Sequence, residues 1–133
     1  MRKDIKIPVV KDVHMAIVSQ FNEEFKVDDW YAYVINKSDM DLETVLIVSK
    51  GFNEEQNKET SLMRHKIEKL PAGSAAKVEL IQEELLEKMD NVFNLTYFAK
   101  DRLYDKQFEF KRGTVNFETI TEIPEIGLKG LIQ

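Results

Sequence analysis

From Val13 to Phe21 the odd positions, Val13, Met15, Ile17, Ser19 and Phe21, make a mostly apolar stripe at the two-residue period of a strand. Two later runs are apolar on both faces. In 30–36, Trp30, Ala32 and Val34 alternate with Tyr31, Tyr33 and Ile35; in 42–49, Val45 and Ile47 oppose Leu46 and Val48. The short polar connector Lys37-Ser-Asp-Met-Asp between them predicts an antiparallel hairpin over 30–52. Strands apolar on both sides sit centrally, or have one face covered by another element or subunit. Strand alternation returns in 61–70, where Met63, His65 and Ile67 share a face. The turn Leu70-Pro-Ala-Gly-Ser follows, and then 75–81, where Ala76, Val78 and Leu80 share a face opposite Lys77 and Glu79.

Around 82–90 the period changes. Ile81, Leu85, Leu86 and Met89 recur at helical spacing among strong helix formers, which predicts one short amphipathic helix. Two further strands follow, one carried by Phe93, Leu95 and Tyr97, the other by Leu103 to Phe110. Residues 116–133 hold Ile120, Ile123, Ile126, Leu128 and Leu131 around Pro124, Gly127 and Gly130, the pattern of an extended C-terminal strap. About seven strands with turn signals between them predict an all-β, immunoglobulin-like antiparallel β-sandwich, with a half-open barrel as the alternative. The 133 residues make a single domain, 1–133, with an N-terminal arm over 1–10 and the strap over 116–133.

Composition narrows the chemistry. With no cysteine there is no disulfide, thiolate metal site or cysteine nucleophile. No apolar run approaches the roughly 18–20 residues of a membrane-spanning helix, and no apolar stretch of signal-peptide length follows the charged N-terminus, so a cytoplasmic protein without a membrane partner is expected. A net charge of −5 disfavours nucleic acid as a partner unless a local basic face overcomes it. The five glycines are scattered singly and form no phosphate-cradling loop.

Three groups of residues carry candidate functions. Tyr31, Tyr33 and Ile35, with Val45 and Ile47 across the expected hairpin, form an apolar aromatic patch suited to a second copy of the chain or another protein; alternatively they complete the core beneath the strap. Lys100, Arg102, Lys106, Lys111 and Arg112, interleaved with Tyr97, Tyr104 and Phe108, form a basic hairpin that could hold single-stranded RNA, although Asp101, Asp105 and Glu109 offset its charge. His65 could act as a general base if a carboxylate or hydroxyl lay within reach; the plainer expectation is a strand histidine packed beside Met63 and Ile67. Two histidines without cysteine make a zinc site improbable, and Asp39-Met-Asp41 lacks the rest of a calcium loop. No catalytic set and no cofactor are expected.

The segments Val34-Ile-Asn-Lys, Val48-Ser-Lys-Gly, Met63-Arg-His-Lys-Ile, Ile81-Gln-Glu-Glu-Leu, Leu103-Tyr-Asp-Lys and Ile123-Pro-Glu-Ile-Gly-Leu-Lys-Gly span nearly the whole chain. In them the chain resembles a family of small, uncharacterised bacterial proteins whose members carry the label "phenylalanyl-tRNA synthetase alpha subunit". The resemblance implies an RNA- or tRNA-associated accessory protein linked to aminoacylation. Neither the Arg-x-Glu setting nor the Gly-rich Glu-Arg segment of a class II synthetase core is present, so the segments transfer no catalytic residues. The leading expectation is a non-catalytic interaction or structural module that self-associates. The RNA-associated role and a small-molecule enzyme using His65 stand as alternatives.

Overall fold

A computed structural model describes residues 8–133; of the expected N-terminal arm, 1–7 lie outside the described residues, and Val10 is buried in the core. The strands are β1 (Val13–Asn22), β2 (Val27–Asn36), β3 (Leu42–Asn53), β4 (Lys58–Glu59), β5 (Met63–Leu70), β6 (Ala75–Ile81), β7 (Asp90–Ala99), β8 (Arg102–Phe110), β9 (Thr121–Ile123) and β10 (Leu128–Ile132), with the helix α1 (Glu83–Lys88) between β6 and β7. All pairings are antiparallel and make two sheets. The first runs β6-β2-β1-β10-β9. In the second, β3 pairs β7, which pairs β8, while β4 and β5 both lie along the other side of β3. Between the sheets is one core, in which Val13, Met15, Ile17, Trp30 and Val34 face Val45, Ile47, Phe93, Leu95, Tyr97 and Phe110. The architecture is a sandwich-like all-β fold, as the alternation predicts.

Residues 30–52 do not form a hairpin. β2 pairs β1 along its full length, from Val13 opposite Asn36 to Asn22 opposite Val27, and β3 belongs to the other sheet. The connector 37–41 therefore crosses between sheets, and Asn36 ties that corner. Its buried Nδ2 donates to the carbonyls of Met40 (2.8 Å), Pro71 (3.1 Å) and Leu70 (3.2 Å), while its Oδ1 accepts from Ser38 Oγ (2.6 Å) and Ser38 N–H (3.0 Å). A buried amide that stitches two turns together prevents the direct fold-back that a five-residue polar connector suggests.

The tail differs in detail from a simple strap, because β9 and β10 form a hairpin that extends the first sheet beside β1. Close approach at Gly130 makes this possible: a Cβ there would stand 2.5 Å from the Ile17 carbonyl oxygen and 2.6 Å from Val18 Cγ1. Ile123, Ile126 and Leu128 pack with Ala16, Val18, Ile35 and Ile132 in a second, smaller cluster on the outer face of the first sheet. Lys37 and Glu125 pair at 3.3 Å, and His14 Nδ1–H donates to the main-chain oxygen of Gln133 at 2.8 Å; both contacts fix the tail to the sheet. Among the described residues no helix is long and apolar enough to cross a membrane.

Candidate functional site: the open edge between β5 and β6

β5 ends one sheet and β6 ends the other, and they are consecutive in the chain, joined by the turn at 71–74. Together they border one long side of the sandwich. What makes that side distinctive is a β-bulge. Pairing of β6 with β2 runs Ala75–Ile35, Ala76–Val34 and Lys77–Tyr33, then skips Val78 and resumes at Glu79–Ala32, Leu80–Tyr31 and Ile81–Trp30. One extra residue reverses the phase of everything after it. Ala32 and Trp30 face the core, so Glu79 and Ile81 do too, whereas Leu80 is turned out and exposed. The expected common face of Ala76, Val78 and Leu80 is broken at this point.

The inward carboxylate meets two donors. Ser49 continues the core stripe of Val45 and Ile47 on β3, and its Oγ–H donates to Glu79 Oε1 at 2.7 Å. His65, opposite Ile47 on β5, places Nε2 2.8 Å from the same oxygen. Side-chain exposure falls to 13% at Glu79 and 23% at His65, so a charge otherwise costly to desolvate is held by two hydrogen bonds. His65 does share its face with Met63 and Ile67, but its ring is bonded to a carboxylate, not to a backbone carbonyl.

A pocket of about 280 Å³ opens beside this group, toward Met63 and Ile81. Ser49, Gly51 and Glu79 line it, together with Leu85 of α1 and Asn91 and Phe93 of β7. A larger hollow, of about 630 Å³, lies over the β3–β4 hairpin, and its charged lining residues Glu54, Lys58 and Glu59 are exposed.

The order of groups in the site is hydroxyl, carboxylate, imidazole. A serine-hydrolase triad needs the imidazole between the other two, where it can take the hydroxyl proton. Ser49 is also flanked in register by Met63 and by Phe93, so its main-chain N–H lies in the plane of the sheet toward a paired strand and provides no oxyanion donor. The arrangement can hold and present a negative charge; it is not built for acyl transfer. No group of three His, Asp or Glu side chains that could hold a metal ion occurs among the described residues.

The other candidates are dispersed or covered. Val45 and Ile47 are fully buried core residues of the second sheet and cannot share a surface with Tyr31 and Tyr33. Ile35 is buried on the outer face of the first sheet, in the cluster that includes the C-terminal hairpin. Tyr31 and Tyr33 are half-buried on that face. Lys77 Nζ lies 3.9 Å from the Tyr31 ring centroid, and burial, with Tyr31 beside it, raises the Tyr33 phenol above its ordinary value. The open patch expected from a hairpin is therefore absent at these five residues, because β2 and β3 lie in different layers.

Nor do the five cations converge. Lys100 and Asp101, both at positive φ, form the two-residue turn between β7 and β8 beside Arg102. Arg112 lies at the far end of β8, roughly 30 Å away along the strand. There it pairs with Glu55 at 3.0 Å and Asp90 at 3.8 Å, while Lys111 pairs with Glu109 at 3.4 Å and Lys106 lies over Phe108 at 4.9 Å.

Sequence reasoning singled out His65 but neither Ser49 nor Glu79. A serine continuing an apolar stripe was one available signal, since a core-facing hydroxyl needs a partner. For Glu79 there was none, because the bulge is expressed only in the pairing with β2. Comparison of the chain with protein-family models, with curated proteins and with solved structures finds no match.

Proposed function

We propose that the protein is a non-catalytic binding module whose working site is the open edge of the sandwich between β5 and β6. The observation that carries this reading is the inward carboxylate of Glu79, fixed by Ser49 and His65 and bordering a pocket of about 280 Å³. Packing alone gives no reason for a carboxylate there. An apolar side chain would fill the edge without the desolvation cost, so the charge is better understood as serving a ligand. The hydroxyl–carboxylate–imidazole order and the missing oxyanion site favour recognition over turnover. Apolar Ile81, Leu85 and Phe93 supply the contact surface that a small site needs besides its polar anchor.

The test is a fragment screen read by amide chemical shifts on the labelled protein. Hits should perturb one connected set of amides, Ser49 to Gly51, Met63 to His65 and Glu79 to Gln82, and the Leu85→Trp variant should block them by filling the pocket. Hits that map instead to β8 or to the outer face of the first sheet, and that Leu85→Trp leaves unchanged, would remove the proposal.

A further inference from the structure

Building on that reading of the edge, we infer that the pocket takes a primary alkylammonium group, a compact organic cation on a short apolar stem. A census of donors and acceptors leads there. The buried or partly buried hydroxyl and amide donors of the lining are all spent. Ser49 Oγ–H goes to Glu79, Asn91 Nδ2 donates to the carbonyls of Leu85 (3.0 Å) and Met89 (3.2 Å), and Lys50 Nζ pairs with Glu59 at 2.9 Å. Thr60 Oγ1 accepts from Gly51 N–H at 2.8 Å and donates to the Ser61 carbonyl at 3.1 Å. Donors to spare remain on exposed Ser61 and Gln82, and on the Lys50 ammonium, which Glu59 engages through one of its three N–H groups.

Among the carboxylate and amide oxygens set back from the rim, two acceptors remain. Glu79 Oε1 is occupied by two donors, whereas no donor among the described residues reaches Oε2. Every fully buried polar side-chain atom described has a partner, so Oε2 is open to solvent, and the pocket is the space Glu79 borders. Asn91 Oδ1 likewise receives no donor among the described residues, and lies 3.5 Å from where a Cβ on Gly51 would stand. A site with filled hydroxyl and amide donors and open acceptors, one of them anionic, selects a cation that donates hydrogen bonds.

Shape chooses among cations. A guanidinium prefers both oxygens of a carboxylate in a planar fork, and Oε1 is already taken. A metal ion lacks a third anionic or imidazole ligand. An ammonium, with three donors on one centre, suits a single carboxylate oxygen and an amide oxygen in the same lining. Its stem would lie against Ile81, Leu85 and Phe93. The pocket volume of about 280 Å³ lies at the small end of ligand sites, so the occupant is a few carbons long. A lysine side chain presented by a polypeptide and a free diamine share this chemistry.

Calorimetry and amide shifts with n-butylammonium chloride test the inference. Binding in the millimolar range is expected, with shifts at Ser49, Glu79 and Asn91, and with n-butanol and guanidinium at least about tenfold weaker. Glu79→Gln keeps an acceptor for Ser49 and His65 but removes the charge, and should weaken butylammonium about tenfold or more without changing the melting temperature appreciably. Gly51→Ala, whose Cβ would enter the lining 3.2 Å from Thr60 Cγ2, should weaken it with the charge intact. Tighter binding of Nα-acetyl-lysine methylamide than of putrescine assigns a polypeptide source, and the reverse assigns a free polyamine. Equal affinity for n-butanol, undiminished binding to Glu79→Gln, or no binding of butylammonium at about 100 mM would each overturn the inference. If neutral fragments still occupied the pocket, the binding-module reading would survive it.

Discussion

β6 and β8 are both outermost strands, one in each sheet, and both alternate charged with apolar residues, yet they treat their charges in opposite ways. β8 keeps a regular ladder with β7, so Phe108 and Phe110 enter the core and Asp105 and Glu109 face away from it, while Lys106, on the same face as the two rings, stays exposed with its Nζ over Phe108. In β6 a single extra residue, Val78, breaks the ladder with β2 and turns Glu79 toward the core side. The first arrangement is how edges are ordinarily kept soluble and unpaired, with charge on the solvent side. The second uses the same alphabet to bring a carboxylate within reach of Ser49 and His65. What separates a solvated edge from a candidate site is thus what the core-side charge meets, open water at Lys106 and the two donors Ser49 and His65 at Glu79, and not the strand's composition.

The contrast can be broken first at its apolar half. Phe110 packs edge-on against Phe93, with centroids 5.8 Å apart, and is almost wholly buried. Phe110→Ala should cost about 3–5 kcal/mol in denaturant unfolding, because it removes a ring and leaves a cavity. A loss below about 1 kcal/mol would mean that β8 is not seated on the core as described. The polar half of the contrast comes next. Glu79→Ala strands the Ser49 hydroxyl and the His65 ring at a half-closed edge and should cost about 1–3 kcal/mol, whereas Glu79→Gln, which keeps an acceptor, should cost less. Equal losses for the two variants would show that charge, not the hydrogen-bonded acceptor, holds the edge together.

An alkaline titration sharpens the comparison from the β8 side. Tyr97 of β7 stacks on Tyr104 of β8, with centroids 5.0 Å apart and planes 7° from parallel. Burial, with Tyr104 beside it, pushes the Tyr97 phenol up to about 12. An unfolded tyrosine titrates near about 10, so the folded state holds this proton where the unfolded chain has released it. The stabilisation is complete below about pH 10 and is lost as pH rises toward about 12. Urea midpoints measured across that window should fall for the wild type and fall less for Tyr97→Phe. Parallel curves for the two proteins would place the alkaline loss elsewhere.

Much of this architecture was legible from residue patterns, and the failures have specific causes. Period-two burial located β1, β5, β7 and β8, and the helical spacing of Leu85, Leu86 and Met89 located α1, because in each case a face could be read without knowing its neighbour. Residues 30–52 failed because a short polar connector reads alike whether the chain folds back or crosses to another layer. The difference lies in Asn36, whose amide bonds reach Leu70 and Pro71. Of the site, only His65 was visible. Ser49 looked like an ordinary end to an apolar stripe, and Glu79 looked like solvent-facing charge, because the Val78 bulge depends on β2 and leaves no local mark.

The smallest effect is expected on β8 itself, and it decides whether the two edges differ in kind. Glu109, half-buried, pairs with exposed Lys111 at 3.4 Å, an ion pair that water and salt largely screen. Glu109→Ala should therefore change unfolding free energy by no more than about 0.5 kcal/mol, and 0.5 M salt should erase even that, on the order of what exposed pairs contribute. Arg102→Glu, at the turn end of the same hairpin, should be as quiet in stability, and should leave affinity for a single-stranded RNA oligonucleotide unchanged because the cations do not converge on one stretch of backbone. If Glu109→Ala instead matched Glu79→Ala in cost, the bulge would have no special consequence. The inward carboxylate would then be one more edge charge, without reason to expect a ligand beside it.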